Sequence, residues 1–128
     1  MLPDSLASTI LTMRPFLPAK DFAVSLGFYE ALGFEATPLG EKMAHMQLGR
    51  FAFLLQEFYV KEFAENLMMH VLVEDLDAWW RHIEALSLAE RFDVGPPRPP
   101  KLESWGLRVS YVFDPAGVLW HFAEEPKA

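Results

Sequence analysis

Cysteine is absent from all 128 residues, so thiol nucleophiles, zinc–thiolate sites and disulfides are excluded, and no redox chemistry can rest on the protein itself. Basic residues are few: 11 Lys and Arg stand against 18 Asp and Glu, for a formal net charge of -7. That balance argues against nucleic acid, whose phosphates demand a basic surface, and is compatible with a cationic or neutral small ligand. Long apolar runs are missing too. None approaches the ~18 residues that a membrane span needs, and the N-terminal stretch around Asp4 has no basic-then-apolar pattern. The expected setting is the cytoplasm. What is plentiful is apolar and aromatic: 52% hydrophobic and 14% aromatic residues suffice for one well-buried domain over 1–128, and the chain is too short for two ordinary ones.

The chain repeats itself. Ala19-Lys20-Asp21 opens a segment that closes on Glu30-Ala31-Leu32, and Val73-Glu74-Asp75 opens one that closes on Glu84-Ala85-Leu86; Asp21 to Asp75 and Glu30 to Glu84 are both 54 positions. Asp21 is expected to cap a helix whose apolar stripe is Phe22, Leu26 and Tyr29, stopped at Gly33. Asp75 is expected to cap a second, with Leu76, Trp79, Ile83 and Leu86 as its stripe. Two copies of a unit too small to bury its own apolar face must pack together or on a partner, and the seam becomes the natural place for a ligand.

Around these helices the period is that of strands. Thr9–Met13, continued by the proline-punctuated Arg14–Pro18, reads as the first strand; 34–38, 43–48 and 51–56 follow. The second half reads alike, with strands at 67–73, 91–94, 107–113 and 118–123, the last two joined over Asp114-Pro115-Ala116-Gly117. Each half is βαβββ, and the modules span about 8–58 and 66–125 with linker 59–65. A proline-rich loop from Gly95 to Gly106 is expected to be stiff and to present Trp105.

Paired βαβββ units and the stretch Asp114-Pro115-Ala116-Gly117-Val118-Leu119-Trp120-His121-Phe122 resemble the vicinal oxygen chelate superfamily of glyoxalases, extradiol dioxygenases and bleomycin-resistance proteins. Three stretches are most similar to the bleomycin-resistance proteins: Pro15 to Asp21, Leu72 to Asp77, and Trp105-Gly106. The resemblance implies an α+β fold of two modules with curved sheets around a cavity. In the superfamily's enzymes, four inward residues from the first and last strands of each module hold a divalent ion. By motif spacing those positions are Arg14, Gln56, Met68 and His121. Of these His121 alone is a good ligand: Arg14 repels a cation, Gln56 brings a neutral oxygen, and the Met68 thioether suits copper(I). The expectation is therefore no metal and no catalytic residues. The alternative is a lyase or dioxygenase with an atypical metal site centred on His121 and His70, although the two-residue offset of His70 from Met68, ~6.6 Å of strand rise, speaks against it. His82, among charged residues on its helix, is expected to be solvated.

The resemblance implies instead a pocket at a homodimer interface that sequesters a flat, partly cationic toxin or metabolite, as in antibiotic resistance. Residues carried over by motif are Trp105, Gln56, Glu65 and His70, with Pro38 and Met43 where the family has phenylalanines; Arg14, Met68 and His121 face the same seam. A further expectation is exchange of the N-terminal strand about Pro15.

Overall fold

The computed structural model describes residues 4–126. A short helix α1 (Asp4–Ala7) precedes β1 (Phe16–Ala19), α2 (Phe22–Leu32), β2 (Glu35–Pro38), β3 (Met43–Leu48) and β4 (Phe51–Glu57). Helix α3 (Lys61–Ala64) leads to β5 (Met68–Leu72), α4 (Leu76–Ala85), α5 (Leu88–Phe92), β6 (Arg98–Leu102), β7 (Arg108–Phe113) and β8 (Leu119–Glu124). The strands form two four-stranded sheets of the same order, β1-β4-β3-β2 and β5-β8-β7-β6. In each, the first strand lies parallel to the last and the other pairs are antiparallel.

The echo 54 positions apart is a pair of helix starts. Asp21 accepts from the Val24 amide at 3.2 Å and Asp75 from the Ala78 amide at 3.0 Å, each satisfying a donor that the first helical turn leaves open. Behind the caps, Phe28, Tyr29 and Leu32 of α2 and Leu76 and Ile83 of α4 are buried. Gly33 ends α2 at φ +128°, a region that disfavours side chains.

One core joins the two halves. On β3 and β4 the buried residues alternate as Ala44, Met46, Phe53 and Leu55; β7 and β8 give the shared core Val112, Trp120 and Phe122, and also bury Val109, Ser110, Ala123 and Glu124. Trp120 lies 5.7 Å from both Phe34 and Phe53 and 5.6 Å from Tyr29, between ring centroids, so the inner faces of the two sheets meet through aromatic contacts. A polar link runs through this apolar layer. The Tyr29 hydroxyl donates to Asp114 and accepts from Trp120 Nε1 at 3.0 Å. The other oxygen of Asp114 accepts from the amides of Ala116 (2.9 Å) and Val118 (2.8 Å), closing the β7–β8 hairpin. Burial, ahead of any other influence, raises the Asp114 carboxyl to about 6 and holds the Tyr29 phenol well above its ordinary value.

Several sequence expectations are corrected. Residues 9–14 are not a strand: they pair with no strand among the described residues and are exposed; the Pro15 carbonyl accepts from the Leu54 amide at 2.9 Å, and β1 begins at Phe16, opposite Leu54. The segment read as a strand at 91–94 closes helix α5 instead, and Asp93 then turns left-handed at φ 53°. The proline-rich stretch read as a loop contains β6. Its register on β7 slips between Arg98 and Lys101, so Pro99 and Pro100 occupy the irregularity of an edge strand, where a missing N–H is tolerated. His82 is not merely solvated; its Nε2 bonds the Leu32 carbonyl at 2.8 Å and ties α4 to the end of α2.

Candidate functional site

Because inner faces meet in the shared core, the alternation of each strand turns the other set of side chains away from it. On the first sheet this outer set includes Met43 and His45 of β3 and Leu54 and Gln56 of β4. Met43 and Gln56 are direct cross-strand partners. They line an open hollow of about 460 Å³ with Leu39, Glu41, Lys42 and Glu57. Pro38 is exposed at the end of β2, opposite Ala44 and next to Leu39 at the hollow's edge.

On the second sheet the outer set is Met68, His70 and Leu72 of β5, Leu119 and His121 of β8, and Tyr111 and Phe113 of β7. His70 pairs with His121 and His121 with Tyr111 across adjacent strands, which sets three rings in a row: His70 to His121 is 5.8 Å and His121 to Tyr111 4.9 Å between centroids. Nε2 of His121 is buried with no hydrogen-bond partner among the described residues. Burial, and to a lesser degree the neighbouring His70, lowers the basicity of His121, which favours the neutral ring. The Tyr111 phenol is raised by burial and then by the nearby Glu103 carboxylate. Arg98 lies over the Phe113 ring at 5.9 Å.

Trp105 sits at the tip of the β6–β7 hairpin and is 56% exposed. The turn is tied by the Glu103 amide to the Leu107 carbonyl at 2.8 Å and the Gly106 amide to the Glu103 carbonyl at 3.0 Å, with Gly106 at φ +98°. Glu65, at the C-cap of α3, packs beside Gly117 in the β7–β8 hairpin and is not grouped with Gln56 or Met43.

The residues expected at one seam thus fall into separate places. Met43, Gln56 and Pro38 belong to the first sheet; His70, His121 and Met68 share the outer face of the second, and Trp105 tips its β6–β7 hairpin. Arg14 lies two residues ahead of β1 and is exposed, so it faces no strand neighbour. The four-position set does not fit a divalent ion by its donors: Arg14 is a cation on exposed chain ahead of β1, Gln56 brings a neutral oxygen and Met68 a thioether, which leaves His121 alone. No three His, Asp or Glu side chains converge among the described residues. Tyr111 and Glu103 escaped the sequence reading. Their signal was the alternation Val109, Tyr111, Phe113 on the strand beside His121, with Glu103 two residues from Trp105.

Comparison with known proteins agrees with this architecture. The family described as "Glyoxalase/Bleomycin resistance protein/Dioxygenase superfamily" matches residues 9–122. A bleomycin resistance protein of Klebsiella pneumoniae is 29% identical over 111 residues, covering 82% of this chain and 85% of that protein. The crystal structure of a bleomycin-binding protein complexed with bleomycin is similar in fold at TM-score 0.75, with 24% identity and coverage of 91% and 100% of the two chains. A bleomycin-binding protein from bleomycin-producing Streptomyces verticillus, complexed with copper(II)-bleomycin, reaches TM-score 0.69 at 26% identity, covering 92% of this chain and 98% of that one.

Proposed function

Because the chain belongs to the glyoxalase/bleomycin resistance protein/dioxygenase superfamily, we propose that it is a non-catalytic binding protein. In this reading it sequesters a small, flat, partly cationic molecule between two copies of itself in the cytoplasm, and resistance comes from tying up the toxin unchanged. One observation carries the reading: the two half-sites lie on outer faces that point away from a shared core, so a cup lined by both needs the first sheet of one chain and the second sheet of another.

The surface supports it. Phe16 on the outer face of the first sheet, Met68 and Leu72 on that of the second, and Trp105 at the β6–β7 hairpin tip are exposed apolar side chains. Apolar surface gathered on sheet faces marks a place where something else packs. A negative chain with Glu103 beside the ring row favours a cationic guest. The names of the relatives point to bleomycin as the first compound to try. The chelate geometry gives the enzyme reading no support.

Titration of tryptophan fluorescence with bleomycin tests the proposal. Of the four tryptophans Trp105 is the exposed one, while Trp79, Trp80 and Trp120 pack in or against the core, so its emission reports the cup. Quenching is expected in the unmodified protein; calorimetric titration of the variants, which lack that reporter, is expected to give affinity roughly tenfold weaker in Trp105→Ala and nearly retained in Trp105→Phe, since stacking of an aromatic pair is worth ~0.5–1.5 kcal/mol beyond area. No quenching, or full affinity in Trp105→Ala, would contradict sequestration of this drug class.

A further inference from the structure

The ring row on the outer face of the second sheet ends on a charge. His70, His121 and Tyr111 are successive cross-strand partners, and the partner of Tyr111 on the edge strand β6 is Arg98. The slip between Arg98 and Lys101 puts it there: carried on without a break, the Lys101–Val109 register would set Arg98 opposite Val112, on the buried core face. With the slip, the guanidinium joins the outer face and lies over the Phe113 ring at 5.9 Å, two residues beyond Tyr111 on β7, or ~6.8 Å of strand. A charge of the other sign stands toward the opposite end of β7. The Glu103 amide bonds the Leu107 carbonyl at 2.8 Å where the β6–β7 hairpin, with Trp105 at its tip, enters the strand. After burial, the leading influence, Glu103 raises the Tyr111 phenol and Arg98 lowers it, so both charges act on that ring. They do not pair with each other: the ion pairs among the described residues are both made by Arg108, and Arg98 is exposed.

We infer that this face reads a flat guest with two unlike charged ends: an oxyanion held by Arg98 beside Phe113, an ammonium held by Glu103 beside Trp105, and an aromatic body laid on the ring row between them. The inference rests on the reading that the outer face of the second sheet lines the cup, and deepens it, because the guest is dipolar and not simply cationic. A guanidinium presents its donors as a planar fork that matches an oxyanion, and the Phe113 ring beneath it limits its freedom before a guest arrives. A guest of one sign would leave either Arg98 or Glu103 unpaired as water is excluded, which opposes its binding. Charges at both ends also fix the direction in which the guest lies along β7.

Three flat probes separate the two charges: 1-pyrenesulfonate, 1-pyrenemethylammonium and the uncharged 1-pyrenemethanol, each titrated against the full chain at ~0.15 M salt, where distant charges are screened, and followed by pyrene emission. All three are expected to bind. Arg98→Gln is expected to weaken the sulfonate about tenfold and spare the ammonium, and Glu103→Gln to do the reverse. Unchanged binding of pyrenemethanol shows that both variants are folded. Arg81→Gln removes an exposed cation from α4, which packs on the core face of the same sheet through Trp79 on Phe122, and is expected to leave every affinity as it was. A sulfonate loss as large in Arg81→Gln as in Arg98→Gln would reduce the effect to net charge and overturn the proposal. Charged probes that ignore Arg98→Gln and Glu103→Gln while pyrenemethanol still binds would overturn the two-ended guest alone. Failure of all three probes to bind would overturn it together with the sequestration reading.

Discussion

Asp114→Ala is expected to lower the free energy of unfolding by about 3 to 5 kcal/mol, read from urea denaturation at neutral pH. The carboxylate is the acceptor for three buried donors, the Tyr29 hydroxyl and the Ala116 and Val118 amides. Alanine leaves all three without a partner in a site too tightly packed to admit solvent freely. Leaving a buried donor unsatisfied costs about 1 to 3 kcal/mol, and relief of the buried charge offsets only part of the sum. Asp114→Asn is milder: its amide oxygen accepts from the hairpin amides, while its amide nitrogen faces the Tyr29 hydroxyl as a second donor and leaves that one proton without an acceptor, so a loss of about 1 to 3 kcal/mol is expected.

The same pair of variants reveals a pH dependence. Burial raises the folded-state value of Asp114 from 3.8 to about 6, so the native state binds the proton more tightly than the unfolded chain. The contribution is therefore fully present below about pH 4 and is lost as pH rises through about 6. At ~1.4 kcal/mol for each pH unit between the two states, the loss is on the order of 3 kcal/mol. Denaturation of the Asn variant across pH 3 to 8 is expected to lack this decline; a parallel profile in both proteins would show that Asp114 does not titrate in this window.

Trp120→Ala is the other large effect, a loss of about 3 to 5 kcal/mol by the same measurement. Trp120 comes from the last strand, yet its neighbours Tyr29, Phe34 and Phe53 come from the first half of the chain. Its removal opens a cavity at the place where the two halves meet. It also strips the Tyr29 hydroxyl of the indole donor. Trp120→Phe keeps most of the ring packing and forfeits that bond, so about 1 to 2 kcal/mol is expected. Because Trp120 and Asp114 act on the same hydroxyl, the double alanine variant is expected to cost less than the two single losses added together.

Much of this architecture was legible in the residues. Asp21 and Asp75 announce helix starts through a local bond that needs no tertiary information, and the Asp114–Gly117 turn carries its own acceptor and its own glycine at φ +98°. Alternation on β3, β4, β7 and β8 was equally plain. What misled was long-range pairing. Residues 9–13 have the composition of a strand, but a strand needs a partner, and the described residues offer them none. Pro99 and Pro100 hid β6, since nothing local tells that an edge of β7 is available to them. For the site, motif spacing placed Met68 where a chelate expects a ligand, whereas the parallel register sets His70 beside His121. Spacing along one strand does not fix the stagger against its neighbour.

The central claim, that a binding cup is lined by the first sheet of one chain and the second sheet of another, is tested most directly by mixing variants. Met43→Arg places a cation on the first outer face and His70→Arg places one on the second, so each protein alone is expected to fail to bind bleomycin. Unfolded together and refolded, they form mixed dimers in which one cup carries both changes and the other carries neither, and binding is expected to return to about a quarter of all cups. Light scattering on the same samples reads the dimer. No recovery on mixing, with each variant folded, or a chain that binds while monomeric, would contradict the account.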